Sequence, residues 1–193
     1  MDYTIPDEIR SLLLQDARET IQAELEGRKP RYESDSKVIQ ERGAALQSAG
    51  AFVTIHMGSA LRGCIGQMSS NLPLFQTIRA MARSAAFQDP RFPDLTEAEL
   101  EQCSLEISIL SPLLPCEDVK KIQIGLHGLY LEYRGHTGVL LPQVAVEQGW
   151  NLQEYLDYIC RKAGVPYISY EEKGSRLYTF TAIVFSEPRQ ERL

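Results

Sequence analysis

The chain has 193 residues, 44% of them hydrophobic and 24% charged, an ordinary globular balance with enough length for a full core in a single domain. With 20 Lys and Arg against 26 Asp and Glu the net charge is -6, and the basic residues are scattered, so the basic face that nucleic-acid phosphates demand is missing. No low-complexity tract, no apolar run near the ~18 residues of a membrane span and no basic-then-apolar leader is visible, so a cytoplasmic protein that binds neither nucleic acid nor membrane is expected.

Apolar residues at Ile9, Leu12, Leu13, Ala17, Ile21 and Leu25 form a helical stripe over 5–26, with Thr4 as a cap and Gly27 as a stop. Its polar face mixes acids with bases, which favours packing on the chain's own core over a membrane surface. The polar stretch 28–37 reads as a loop.

From 51 to 57 the period changes to two, with Val53, Ile55 and Met57 on one face and Phe52, Thr54 and His56 on the other. This strand leads through Gly58-Ser59 to Leu-Arg-Gly-Cys-Ile-Gly at 61–66, where a thiol, a cation and two glycines converge. Gly63 and Gly66 read as a turn that permits positive φ, and successive amides in such a turn can form an anion-binding concavity beside Cys64. Two readings stand here: a nucleophilic Cys64 with an oxyanion hole, or a buried cysteine packed as a small hydrophobe beside a glycine bulge. His56 reads as an edge-strand residue within reach of the hairpin.

Asn71 opens a predicted helix at 72–88, striped by Leu74, Ile78, Met81, Ala82 and Ala85 and stopped by Asp89-Pro90. Two prolines stiffen 89–94, so Asp89 and Arg91 either orient a ligand or thiol, or pair with each other to hold the turn. Thr96 and Glu99 form a capping box with Leu95 and Leu100 as its staple, predicting a short helix at 97–102. Over 104–110 Leu105, Ile107 and Ile109 alternate with Ser104, Glu106 and Ser108, a strand with one wet or functional face. Glu106 is either a solvated carboxylate or an acid directed toward Cys64.

A hairpin of 129–134 with 138–141 is expected around Gly135-His136-Thr137-Gly138, and His127 precedes it. Asn151 and Glu154 cap a helix at 152–163 that ends at Gly164, with Cys160 in its core stripe. The β-branched and aromatic run 177–185 suits a central strand, followed by an exposed Glu-Pro-Arg tail. The fold class is therefore α+β, a mainly antiparallel sheet with flanking helices. Four widely spaced cysteines, Cys64, Cys103, Cys116 and Cys160, read as reduced thiols, and three histidines at 56, 127 and 136 make no metal motif. No metal or cofactor is assigned.

Blocks spread along the chain belong together: Gly50-Ala51-Phe52-Val53-Thr54, Leu61-Arg62-Gly63-Cys64-Ile65-Gly66, Ala85-Ala86-Phe87-Gln88-Asp89-Pro90-Arg91-Phe92, Leu105 to Pro112, Leu141-Pro142-Gln143 and Cys160 to Gly164. In this order they resemble the AMMECR domain family in its stand-alone microbial form, over nearly the whole sequence. The resemblance implies two unequal lobes around a cleft, with 61–66 near that cleft, and association with a Memo-like protein and a radical S-adenosylmethionine protein. It specifies no reaction, leaving an enzyme that uses Cys64 or a non-catalytic adaptor for those partners. Within the enzyme reading Cys64 is the nucleophile and His127 the base. Glu106 or Asp89 orients that base. Arg62, Gly63, Gly66, Asp89 and Arg91 bind the ligand, Arg62 lowering the thiol pKa or gripping an anion.

Overall fold

The computed structural model describes residues 5–32 and 47–188. Two compact units divide the chain, one spanning Met1–Ile109 with Ile183–Leu193 and the other Leu110–Ala182. Each has a four-stranded sheet and an apolar core of its own. The α+β class therefore holds, but the expected single sheet is two. No helix among the described residues is long and apolar enough to cross a membrane.

In the first unit α1 (Asp7–Leu25) and α2 (Leu74–Phe87) pack together. The sheet runs β2-β1-β3-β8, built from β1 (Ala51–Met57), β2 (Ala60–Gln67), β3 (Cys103–Leu110) and β8 (Ala182–Ser186). β1 pairs antiparallel with both β2 and β3. The α1 stripe of Ile9, Leu13, Ala17 and Ile21 meets Leu74, Ile78 and Ala82 of α2 in a core closed by Val53, Ile55, Leu105, Ile107 and Ile109. A polar pair lies inside this helical layer. Asp16 is buried and ion-paired to Arg79, whose guanidinium stacks on Tyr32 at 3.4 Å and Phe75 at 4.7 Å.

Local chemistry adjusts several boundaries. Asn71 does not cap α2: Pro73 occupies that place, and the nearby Ser70 hydroxyl accepts from the Leu72 amide and the Thr77 hydroxyl instead. The helix stops before Asp89-Pro90 as expected, with Gln88 at its end. The capping box at Thr96 and Glu99 is complete, although its helix α3 is only Glu97–Leu100. The Thr4 cap and residues 33–37 of the predicted loop lie outside the described residues. Glu187 is not an exposed tail residue. Its carboxylate takes two bonds from Arg18, at 2.7 and 2.5 Å, and one from the Leu105 amide at 2.9 Å, tying the returning chain to α1 and β3.

The second unit has the sheet β4-β7-β5-β6, from β4 (Leu114–Pro115), β5 (Gly128–Tyr133), β6 (His136–Leu140) and β7 (Arg176–Phe180). α4 (Pro142–Glu147) went unforeseen, whereas α5 (Leu152–Ala163) has the expected capping box and ends at Gly164 with φ +70°. α5 packs on β5 and β6 and buries Tyr155, Leu156, Ile159 and Cys160. The hairpin turn is Arg134-Gly135 rather than 135–138, since Tyr133 pairs with His136 and both turn residues have positive φ. The run 177–185 is two strands. Thr181 interrupts it by exchanging bonds with Ser111, amide to hydroxyl and amide to carbonyl, each at 2.9 Å, and β7 and β8 then join different sheets.

Candidate functional site

Cys64 does not lie in a glycine loop; it stands in β2, opposite Thr54 of β1. The turn is upstream, at Gly58 with φ +60°, and neither Gly63 nor Gly66 has positive φ. These glycines answer to close approach instead. A Cβ on Gly63 would fall 2.3 Å from the Ala85 carbonyl oxygen of α2, and one on Gly66 would fall 2.2 Å from the Phe52 ring. The pattern Gly-Cys-Ile-Gly thus places helix backbone against one face of β2 and an aromatic ring across the other.

The pairing steps from Ile55–Gly63 to His56–Leu61, leaving Arg62 as the extra residue of a β-bulge. A bulge re-aims its side chain, and Arg62 reaches Glu99 with Nε–Oε1 at 2.9 Å and Nη2–Oε2 at 3.1 Å. Nη2 also donates to the carbonyls of Pro93 and Asp94. The guanidinium offered above as a ligand grip is buried and engaged within the chain. Its pairing, ahead of the Thr96 bonds, holds the Glu99 carboxyl down at about 2.

β2 is an edge strand, so the outward amide and carbonyl of Cys64 need partners. The 89–94 turn supplies them. The Cys64 amide donates to Asp89 Oδ2 at 2.9 Å, and Arg91 Nη2 donates to the Cys64 carbonyl at 3.1 Å. Arg91 grips Asp89 with Nε–Oδ1 at 2.9 Å and Nη2–Oδ2 at 2.7 Å, and its own amide donates to Oδ1. The buried Asp89 carboxylate therefore accepts four bonds, and Arg91 first, then the amides, hold it well below the usual carboxylate range. With the Cys64 amide committed to Asp89, the hexapeptide provides no oxyanion hole through that group.

Arg91 differs from its partner in exposure: its side chain is 49% accessible against 2% for Asp89. Its charge is held first by Asp89, and the Cys64 side chain also contributes, so guanidinium and sulfur are neighbours. Phe92 lies within cation–π range of both arginines, at 5.8 Å from Arg62 and 5.5 Å from Arg91.

Register fixes the rest of this face. Thr54 stands between Cys64 on β2 and Glu106 on β3, so the three side chains form a row across the sheet. The Thr54 hydroxyl donates to Cys64 Sγ at 3.4 Å. His56 pairs with Ser104 on the same face, and both of its ring nitrogens are buried without a hydrogen-bond partner among the described residues. The face is not wet, since Thr54, Ser104 and Ser108 are all buried.

His127 belongs to the second unit. Its Nδ1 accepts from the Gln123 amide at 3.1 Å and its carbonyl accepts from the buried Tyr155 hydroxyl at 3.1 Å, so the residue closes its own loop. Among the described residues no three His, Cys, Asp or Glu side chains gather as a metal site. Thr54 is the residue that motif reading passed over. Period-two alternation had placed it opposite the core face, but its position beside Cys64 depends on the hairpin register.

A family model described as AMMECR1 matches residues 14–185. Protein MJ0810 of Methanocaldococcus jannaschii is 41% identical over 91% of this chain and 89% of its own length. Protein NEQ441 of Nanoarchaeum equitans is 37% identical over 89% of this chain and 96% of its own. Among solved structures, the crystal structure of the uncharacterized protein PH0010 from Pyrococcus horikoshii superposes with a TM-score of 0.83 at 33% identity, covering 91% of this chain and 89% of that one.

Proposed function

The chain belongs to the AMMECR1 family, and from the geometry of its first unit we propose that it is a thiol enzyme with Cys64 as nucleophile. The observation that supports this reading is the way Cys64 is held. A buried carboxylate fixes its amide, and the half-exposed guanidinium gripped by that carboxylate fixes its carbonyl and neighbours its sulfur. A cation beside sulfur favours the thiolate, the form that attacks. In the reaction the thiolate forms a bond from Sγ to an electrophilic centre, and the leaving group departs with the bonding pair. Nη1 of Arg91 makes no hydrogen bond among the described residues and is the donor available to an anionic group of the substrate. Glu106, two strands away in the same row, is the carboxylate on this face.

Limiting iodoacetamide at neutral pH tests the reading, with the four cysteines followed by peptide mapping. Burial pushes the thiols of Cys103, Cys116 and Cys160 up, so Cys64 is expected to be labelled well before them. Labelling of Cys64 no faster than the other three would overturn it.

A second reading, an accessory protein for Memo-like and radical S-adenosylmethionine partners, draws on the second unit. There Leu126, Val146, Tyr167 and Ile168 are large apolar residues left exposed, and Ile168 holds a φ of +64° that a β-branched residue rarely adopts. Sedimentation of the purified chain with a purified Memo-like protein tests it. Complex formation lost in Leu126→Asp but kept in Cys64→Ser supports this reading, and no complex with the unmodified chain removes it.

A further inference from the structure

We infer that Thr54 is a positioning residue for the Cys64 thiolate, its hydroxyl supplying the hydrogen bond that holds and stabilises the charged sulfur. The inference deepens the thiol-enzyme reading and rests on it.

The backbone explains why the two side chains meet. The Cys64 amide and carbonyl both point off the sheet edge to the 89–94 turn, which makes Thr54–Cys64 a non-hydrogen-bonded antiparallel pair. Side chains approach most closely at such pairs, where Cα atoms are about 4.5 Å apart. Thr54 is β-branched, so its χ1 is stiff and the hydroxyl is held where the strand directs it. That hydroxyl is buried and its contact is Sγ, at 3.4 Å. A buried hydroxyl ordinarily takes a carbonyl or another oxygen, because neutral sulfur is a weak acceptor. A thiolate is a far better acceptor, and donation to it is charge-assisted. The arrangement suits the ionised sulfur better than the neutral one.

Three neighbours bear on this pair. Arg91 approaches Cys64 from the strand edge, so Thr54 and Arg91 contact the residue from different sides. His56, two residues along β1, has both ring nitrogens buried and unpartnered among the described residues, a polar demand that packing on this face leaves unmet. Glu106 lies across Thr54 on the opposite side from Cys64, a carboxyl side chain in the same row.

The experiment compares the full chain with Thr54→Val, which keeps the shape and removes the hydroxyl, and Thr54→Ser, which keeps the hydroxyl. The rate of Cys64 alkylation by iodoacetamide is measured across pH by peptide mapping, and thermal melting confirms that each variant is folded. The pH midpoint is the reading, since a more basic thiolate is also intrinsically more nucleophilic and offsets part of the rate loss. Thr54→Val is expected to raise the midpoint by about 0.7 of a pH unit, about fivefold in thiolate population near neutrality, and Thr54→Ser to restore most of it. Unchanged midpoints in a folded Thr54→Val overturn the inference. If Cys64 of the unmodified chain titrates like an ordinary thiol, the thiol-enzyme reading fails, and the Val-minus-wild-type shift still decides whether Thr54 donates to sulfur.

Discussion

The two faces of the first sheet come from the same strands and end in opposite chemistry. Toward α1 and α2 stand Val53, Ile55, Leu105, Ile107 and Ile109, all fully or almost fully buried and all apolar. On the other side stand Thr54, Ser104 and Ser108, buried as well, and His56, Cys64 and Glu106, half-buried, all of them polar. Burial alone therefore does not separate framework from site here. The helix-covered face gains stability from dispersion and exclusion of water. The opposite face holds polar groups out of water, a disposition that costs stability unless each is partnered and that is met where chemistry is performed. Substitutions on the first face should be read in stability, and those on the second in reactivity.

The contrast is broken most easily from the apolar side. Ile107→Ala removes a fully buried side chain from the sheet face covered by the two helices and is expected to cost about 3–4 kcal/mol in denaturant unfolding. A loss below about 1 kcal/mol would show that this face is not the framework. Gly63→Ala places a methyl against the Ala85 carbonyl, backbone against backbone, so neither partner yields cheaply. About 2–3 kcal/mol is expected, seen as a lower Tm. Gly66→Ala puts its methyl 2.2 Å from Phe52 Cγ, an atom that rotation of the ring leaves in place, so a comparable loss is expected.

On the polar side Arg91→Gln removes the cation next to Cys64 and leaves buried Asp89 with its amide donors. Alkylation of Cys64 at neutral pH is expected to slow about tenfold relative to Cys116 in the same sample, while thermal stability falls by about 1–2 kcal/mol. An unchanged alkylation ratio would separate the Asp89–Arg91 pair from thiol chemistry and leave it as protection for a strand edge. The smallest expected effect concerns Glu99. Its folded pKa of about 2 lies below the ordinary 4.5, so its pairing with Arg62 stabilises fully above about pH 4.5 and is lost as pH falls toward 2. Glu99→Gln is expected to lower stability at neutral pH by about 1 kcal/mol, modest because the carboxylate is partly exposed, and the gap from wild type should close between those two pH values.

Much of this is legible in the sequence alone. The stripe Ile9, Leu13, Ala17, Ile21 names the buried face of α1, and the boxes at Thr96–Glu99 and Asn151–Glu154 mark helix starts because the same side-chain bonds that favour a cap are local in sequence. The sequence points to Cys64, Asp89 and Arg91 as candidates, and hydrogen bonds join the three. What remained hidden depends on non-local pairing. The bulge at Arg62 has no local signature, so the partner Glu99 could not be foreseen from the hexapeptide. Thr54 meets Sγ because the turn at Gly58-Ser59 and the one-residue bulge at Arg62 together set that register; without the bulge Thr54 would stand opposite Gly63. The run 177–185 has uniform β propensity, which carries no information about the break at Thr181.

The most direct test of the central claim is the ultraviolet thiolate absorbance of the native chain at neutral pH, taken as the difference between wild type and Cys64→Ser. A thiolate band is expected at neutral pH that disappears with Cys64→Ser and weakens in both Thr54→Val and Arg91→Gln. A difference spectrum without a thiolate band until the alkaline range of an ordinary thiol would contradict it.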